Sequence, residues 1–534
     1  MEKHLVVPVL IADRARTHPD KVFVEEVGGE RLTYAQYDRE IRRWSTAFRR
    51  AGVEAGDRVV TMLPASVRAS CAWLGLAWLR AVEVPCNNEY RGRMLGYLIA
   101  NSGAQVLLID AKFLDRLAEV AGEVPELRTV VVLGGDTTAG DGLPWDVVTV
   151  DAFLDGAEPA DDLPTPLPSD LCALLYTSGT TGASKGVCFP WGQLYAQGIG
   201  FIPVEDLTED DAFYMPYPIN HVSGKTPFFT MLLANGRIVI RNGFDTSAFW
   251  SDIDEYGCTC TALLGPMTPF LHAQEARPDD ADHALRNIFM MPIPPFIDDF
   301  KARFGVRVCT SYGSVENSVP IKVPGWGVSG ETWRSCGQLR KGYPGYEVRL
   351  VDEHDDEVAP GEVGELIMRT SEPWTMNLGY FGMPEKTVEA WRNGWFHSGD
   401  AMRCDEEGNY YFVDRVRDCI RRRGENISSF EVEAEVNAHP AVLESAAVGV
   451  PSEIGEEEIK VAVVVAPGAT FDPADLIEFL IPRVPRFMVP RYVEVVDEFP
   501  KTEATGRIRK HLVREQAVTD ATWDRDAAGI AVPR

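Results

Sequence analysis

The sequence predicts an α/β protein of more than one domain, and three observations carry that reading. At 534 residues the chain is too long for one ordinary hydrophobic core. Residues 31–110 alternate between helical and strand patterns, which argues a parallel sheet with crossover helices. After Asp400 the pattern changes, and a small α+β unit follows.

Residues 5–12 are apolar and read as an amphipathic first helix. Asp13-Arg14-Ala15-Arg16 follows at once with no small-residue cleavage site, so a signal peptide is not expected. Thr33-Tyr34-Ala35 starts a helix that runs to Gly52. Residues 57–62 form a strand, 67–80 an apolar helix and 104–109 another strand. Residues 136–168 are rich in Gly, Pro and Asp and read as a surface connection. The apolar runs 171–175 and 306–309 are strands, and 409–413 is a short one. Residues 415–424 are unusually basic for this chain, with Arg415, Arg417, Arg421, Arg422 and Arg423. Beyond them the expected order is helix 430–438, strands 445–449 and 460–465, helix 473–483 and strand 492–496. The tail from Val518 is rich in Ala and Asp and is expected to fray.

The composition is that of a soluble globular protein, with 45% hydrophobic and 25% charged residues. The net charge of −28 argues against nucleic acid as a partner, because phosphate backbones recruit Lys/Arg surfaces. A nucleotide ligand is still allowed, since it needs only a local positive pocket. No apolar run reaches membrane-spanning length. The ten cysteines are scattered, and Cys258-Thr259-Cys260 suits neither a zinc knuckle nor a Cys-x-x-Cys redox pair. Reduced cysteines in a cytoplasmic protein are the expectation. The oligomeric state is left open, a homodimer included.

The chemistry is concentrated after the strand 171–175. Tyr176-Thr177-Ser178-Gly179-Thr180-Thr181-Gly182-Ala183-Ser184-Lys185-Gly186 is a run of hydroxyls and glycines that ends on a lysine. Glycine lets the backbone approach a ligand closely. Successive amides, the hydroxyls of Thr177, Ser178, Thr180 and Thr181, and the Lys185 ammonium can together wrap phosphate oxygens. The spacing is not that of the common P-loop, which wants Gly-x4-Gly-Lys-Ser/Thr. By composition alone a flexible surface loop fits equally well. The order of residues, however, resembles the phosphate loop of the adenylate-forming superfamily of acyl-CoA synthetases, peptide-synthetase adenylation domains and luciferases.

Further segments extend that resemblance from about residue 10 to 515. Thr310-Ser311-Tyr312-Gly313-Ser314-Val315-Glu316 is similar to the family's Tyr-Gly-Met/Ser-Thr-Glu. The resemblance implies that Tyr312 stacks on adenine and that Glu316 holds Mg2+ on the triphosphate, a hard cation that suits a carboxylate. Gly394-Trp395-Phe396-His397-Ser398-Gly399-Asp400 matches the family's ribose motif, so Asp400 is the expected ribose ligand. In Asp414-Arg415-Val416-Arg417-Asp418 the resemblance implies ribose or phosphate contact for Arg415 and a hinge at Arg417. Gly424, in Arg423-Gly424-Glu425-Asn426-Ile427, would border a CoA tunnel, and this stretch is most similar to the crotonobetaine/carnitine-CoA ligase-like branch. Met215-Pro216-Tyr217-Pro218-Ile219-Asn220-His221 resembles the pocket segment whose His flanks the acyl site. Lys225 just beyond it either steers an anionic substrate or is simply exposed.

The implied architecture is a large N-terminal domain of stacked α/β subdomains, residues 1–416, and a small mobile α+β lid, residues 417–534. The implied activity is ATP-dependent: an organic acid becomes an acyl-AMP with release of pyrophosphate, and CoA then takes the acyl group. Two departures bear on this. The family's closing Pro-Lys/Arg-Thr-x-x-Gly-Lys is here Pro500-Lys501-Thr502-Glu503-Ala504-Thr505-Gly506-Arg507, with one residue inserted and Arg507 at the lysine position. Arg is a planar fork and not a compact ammonium, so the exchange changes the reacting centre, and Lys501 or Lys510 could instead take the role. Met290 and Met291 stand where the family has small residues under adenine, and they either reshape the pocket or pack adenine on sulfur. Two alternatives therefore stay open. One is activation of an oxyacid such as nitrite, or adenylate transfer to an amine, without CoA, as in N–N bond formation by a diazotase-like enzyme. The other is a weakened nucleotide-binding relative.

Overall fold

Local rules set the first elements of the computed structural model. It describes residues 5–135, 142–177, 184–265, 267–415, 420–422, 425–427, 429–451, 457–484, 486–501 and 508–532. Thr33 caps the helix Tyr34–Arg50: its hydroxyl accepts from the Gln36 N–H at 3.3 Å, while Gln36 accepts from the Thr33 N–H at 2.9 Å. Ile41, Trp44 and Phe48 recur at helical spacing and are buried. Helix Val67–Trp78 is buried along its whole length except at Arg68, as befits a largely apolar helix inside the domain.

The chain divides into two compact units. One runs through Thr177 and includes Ser184–Val348 and Met368–Phe396; the other takes Arg349–Ile367 and the chain from His397 onward.

The first unit contains two seven-stranded sheets. In one, the strand order is Asp146–Thr149, Thr129–Leu133, Val106–Asp110, Arg58–Met62, Val82–Pro85, Leu171–Thr177 and Lys185–Pro190. Its pairs are parallel except the last, where Leu171–Thr177 runs antiparallel to Lys185–Pro190. In the other, the order is Arg307–Cys309, Asn287–Met291, Cys260–Leu264, Ala212–Met215, Arg237–Ile240, Val22–Glu26 and Arg31–Thr33. The period of two sorts side chains between two cores. Phe213, Ala262, Phe289 and Cys309 join a cluster with the first sheet's Val59, Leu108 and Leu175 and with the buried helices. Tyr214, Leu263, Ile288, Met290 and Val308 face a second cluster with Phe249, Phe300 and Phe304.

The second unit holds a four-stranded sheet in the order Val442–Pro451, Glu457–Val465, Tyr492–Val495 and Trp523–Asp524. Helices Ser429–Asn437 and Pro473–Leu480 cover one face through Val432, Val436, Leu476, Ile477 and Leu480. A hairpin, Ile420–Arg422 with Glu425–Ile427, precedes them.

Two expectations are corrected. The stretch 136–168 is not only a connection, since Asp146–Thr149 adds an edge strand and Val150–Leu154 a short helix. Gly, Pro and Asp are frequent in it, yet Asp146-Val147-Val148-Thr149 is β-prone and finds a parallel partner. The tail is tied down as far as it is described: Trp523 pairs with Val493, and Arg525 is buried, donating to the carbonyls of Val489 and Pro490. Among the described residues no helix is long and apolar enough to cross a membrane, and the described cysteines are free.

Candidate active site

In the first unit the site is built around the strand pair Leu171–Thr177 and Lys185–Pro190. Antiparallel register sets Thr177 opposite Lys185, so the two ends of the hydroxyl-rich loop meet across one ladder rung. Ser178, Gly179, Thr180 and Thr181 lie outside the described residues. The flanks are fixed by tyrosines: Tyr176 donates to Asn101 Oδ1 at 2.6 Å, and Tyr97 donates to the Ser184 carbonyl at 3.2 Å. The Lys185 ammonium sits 4.7 Å from the centroid of the Tyr380 ring, a cation–π contact that holds the charge at the loop's end.

A second turn carries Tyr312 and Glu316. Strands Ser311–Ser314 and Ser318–Lys322 pair antiparallel, and the connection is fastened by side chains. Asn317 accepts from the Ser314 N–H at 2.7 Å and donates to the Tyr312 hydroxyl at 3.2 Å. Ser314 donates to Glu316 Oε2 at 3.2 Å. Gly313 is required, because a Cβ there would lie 2.1 Å from the Ser318 carbonyl oxygen. Tyr312 is buried and Glu316 partly so.

Sequence reasoning missed the segment that joins these two parts. Asn377 donates its side-chain N–H to the Glu316 carbonyl at 2.8 Å and accepts from Gly379 N–H at 2.9 Å. Directly after it, the backbone of Leu378, Gly379 and Phe381 bonds to Cys188 and Gly186 of the strand that begins at Lys185. Asn377 and Tyr380 thus tie the Glu316 turn to Lys185. Nothing short-range in the sequence signals this, because Asn377 and Glu316 are far apart in the chain.

His221 lies partly buried in the segment before helix Thr226–Ala234, and burial lowers its pKa. Tyr217 anchors that segment by accepting from the Ala262 N–H at 2.9 Å. Lys225 neither faces a substrate nor lies exposed. It is fully buried, ion-paired to Glu83, with its ammonium 4.0 Å from the Trp73 ring centroid. Glu83 also accepts from Thr61 at 2.8 Å.

The two methionines part company along their strand. Met290 lies within the outer core, so it cannot form a floor under a base, whereas Met291 stands at the strand's C-terminal end and is 41% exposed. Ligands of parallel sheets gather at such ends.

In the second unit Asp400 is buried on Phe396–Cys404, directly opposite Arg415 of the antiparallel Asn409–Arg415. Ser398 accepts from the Asp400 N–H at 3.1 Å and donates to the Leu366 carbonyl at 2.6 Å. Glu365 accepts from Gly399 N–H at 3.0 Å and contacts His397 Nδ1 at the same distance. Within the basic stretch Arg422 is a buried structural residue, paired to Glu458 at 2.6 Å and donating to the Val489 carbonyl at 3.1 Å. Lys501 lies 2.8 Å from Glu444. Gly424 and Arg507 lie outside the described residues.

The donor set suits a magnesium ion that arrives with its nucleotide. Among the described residues no group of three or more His, Cys, Asp or Glu could hold a metal by itself. A single carboxylate such as Glu316 fits Mg2+, which keeps waters and takes phosphate oxygens.

The comparisons with known proteins agree with this layout. Residues 11–381 match the AMP-binding enzyme family and residues 431–505 the AMP-binding enzyme C-terminal domain. The crotonobetaine/carnitine–CoA ligase of Salmonella paratyphi A is 31% identical over 513 residues, 94% of this chain and 97% of that protein. ATP-bound MatB from Rhodopseudomonas palustris is 25% identical with a TM-score of 0.79, covering 96% and 99% of the two chains. The anthranilate CoA ligase AuaEII, solved with anthranoyl-AMP, superposes with a TM-score of 0.82 at 23% identity, covering 98% of each chain. With phosphate loop, Tyr312–Glu316 turn and Asp400 strand in family order, this chain belongs to the AMP-binding enzyme family, the adenylate-forming enzymes.

Proposed function

We infer that the chain is an AMP-forming acid–CoA ligase. The observation that carries this is the family match over residues 11–381 and 431–505 together with the fixed ladder that sets Thr177 opposite Lys185. In the first half-reaction a carboxylate oxygen attacks the α-phosphorus of ATP. The new P–O bond forms as the bond to pyrophosphate breaks, giving an acyl-adenylate. In the second, the CoA sulfur attacks the acyl carbonyl, the C–O bond to AMP breaks, and the thiol proton is lost.

The residues take these roles in the proposal. Thr177, Ser178, Gly179, Thr180, Thr181 and Lys185 hold the phosphates, and Tyr312 the adenine. Asp400 accepts the ribose hydroxyls, with Arg415 beside it. Glu316 would hold Mg2+, which supplies charge neutralisation on the phosphates when bound. His221 flanks the acyl pocket and stays neutral near pH 7, since burial lowers its pKa. Arg507 stabilises charge at the α-phosphate, as preorganised cations do. Gly424 borders the CoA path, and residues 417–534 form a lid that turns between the half-reactions. We place the protein in the cytoplasm, with a small-molecule acid as its partner.

The test is a panel of crotonobetaine, carnitine, anthranilate and simple carboxylic acids, scored for AMP, pyrophosphate and acyl-CoA. ADP as the product would refute the reading. The Arg507 exchange favours one other outcome: nitrite with an amine, giving AMP and an N–N-bonded product without CoA. Arg507→Lys should then move activity toward ordinary acids plus CoA.

A further inference from the structure

The second unit contains a polar chain, buried at Ser429 and Asp414 and partly buried at Lys510 and Glu433, that none of the roles above uses. Lys510, the first residue of helix Lys510–Glu515, places its ammonium 2.9 Å from Glu433 Oε1 and donates to Ser429 Oγ at 2.5 Å. Ser429 is fully buried and donates its own proton to Asp414, which also accepts the Ser429 N–H at 2.8 Å. Glu433 accepts from the Ala447 N–H at 2.7 Å. The chain of bonds therefore runs Asp414–Ser429–Lys510–Glu433–Ala447. It joins the end of strand Asn409–Arg415, the helix Ser429–Asn437, the strand Val442–Pro451 and the helix that begins at Lys510.

Its position matters because of what lies just before Lys510. Lys501 and Ile508 pair across an antiparallel bridge, and the Arg509 N–H donates to the Pro500 carbonyl at 2.8 Å. Pro500, Lys501, Ile508 and Arg509 are thus the stem of the segment 502–507, which carries Arg507. Val513 and Phe499, which flank that stem in the chain, share a buried cluster with Ala446, Val448 and Val450. The polar chain is its other fastening.

We propose that Lys510 is a positioning residue: held by Glu433 and Ser429, it fixes the stem of the Arg507 segment and does not carry its own charge to the reacting phosphate. This rests on the reading of the protein as an adenylate-forming ligase. An ammonium already bonded to a carboxylate and a buried hydroxyl would have to break both contacts to act elsewhere. Burial also pushes the Glu433 carboxyl up to about 7, so the group is sensitive to the loss of its cation.

The two roles for Lys510 make opposite forecasts when Glu433 is removed. If Lys510 is a clamp, Lys510→Met and Glu433→Leu both loosen the stem. Each slows pyrophosphate release by about tenfold to a hundredfold, the usual loss for a misplaced reacting group. Their double variant is no slower than either single, because both act through one contact. Glu433→Gln keeps an acceptor for Lys510 and retains most of the rate. ATP affinity and acyl-CoA formation from a supplied synthetic acyl-adenylate stay at wild-type levels, whereas a general loss of folding would lower both half-reactions. The double variant removes both partners of the Lys510–Glu433 ion pair, so it also guards against misfolding of the singles. If instead Lys510→Met abolishes pyrophosphate release while Glu433→Leu leaves it intact or raises it, Lys510 is the reacting-centre cation and the proposal is wrong. Hydrogen exchange across residues 508–515 of the free protein gives a reading independent of substrate. About tenfold faster exchange in Lys510→Met and Glu433→Leu supports the clamp. Unchanged exchange in both overturns it. Absence of AMP formation by the wild type with every acid would overturn the functional reading, and the exchange result would still decide the clamp.

Discussion

Replacing Lys225 by Met strips the cation from the most deeply buried ion pair of the first unit and leaves the Glu83 carboxylate behind. The side chains of Lys225 and Glu83 are 0% and 2% exposed, so solvent cannot relieve the charge that remains. The ammonium also loses the face of Trp73, 4.0 Å away. Thr61 still donates to Glu83 at 2.8 Å, but one neutral hydroxyl replaces little of a full counter-charge. Breaking one side of such a pair costs about 3–5 kcal/mol, whereas exchanging both partners for apolar groups is often close to neutral. Lys225→Met should therefore lower stability by about 3–5 kcal/mol, and Lys225→Met with Glu83→Leu by much less. The assay is urea unfolding followed by tryptophan fluorescence, since Trp73 stacks on Trp191 with centroids 5.5 Å apart and reports on this core directly. Activity should fall as well, because the pair has two functional neighbours. Glu83 is in register with Ala173 of the phosphate-loop strand, and Lys225 closes the segment that begins at Tyr217 and carries His221. A single-variant cost below about 1 kcal/mol, or costs that simply add in the double variant, would refute the claim that this is a desolvated pair.

Three further outcomes are expected. Asp400→Ala should weaken ATP binding by about 1–3 kcal/mol, the cost of unpairing hydrogen bonds to a charged group, and calorimetry that finds no change removes Asp400 from the ribose. Gly313→Ala places a methyl 2.1 Å from the Ser318 carbonyl, so the Glu316 turn must shift; turnover should fall more than global stability, and equal turnover would show the turn to be unimportant. Glu433 faces Lys510, Asp414 and the Ala447 amide, and its pKa is raised by burial to about 7. The folded state holds this proton more tightly than the unfolded chain, so the stabilisation is complete below the ordinary glutamate range and is lost as pH rises through about 7. Glu433→Gln cannot titrate, and its stability relative to wild type should rise over that window; a flat difference across pH would contradict the assignment.

Much of the fold follows from local pattern. Helix Tyr34–Arg50 is announced by its Thr33–Gln36 capping pair and its apolar stripe, and the C-terminal helices and strands by changes of period. The glycine-rich motifs carry their own reasons, as Gly313 shows: the sequence needs a residue without Cβ where two strands close tightly. Composition misleads where pairing decides. The strands Asp146–Thr149 and Trp523–Asp524 sit in stretches whose Gly, Pro, Ala and Asp content reads as loop, and each exists because a neighbouring strand offers an open edge.

Lys225 shows why part of the site stays illegible in one dimension. In the sequence it is a cation beside a pocket motif, and both expectations for it assume that it meets solvent or substrate. Its fate is decided by Glu83, 142 residues away, and by the ring of Trp73. Lys185 has the opposite history. Its motif announces it, but the group that holds it, Tyr380, has no motif and reaches it only because Asn377 pins the turn of Glu316 to the same ladder. Charges are therefore legible as types and not as roles. Among the lysines named here, one is buried against a carboxylate, one rests on an aromatic face, and Lys501 and Lys510 each sit on a glutamate. Lys510 is bonded to both Glu433 and Ser429, so the proposal gives the α-phosphate to Arg507, one of the two places where the sequence departs from its family.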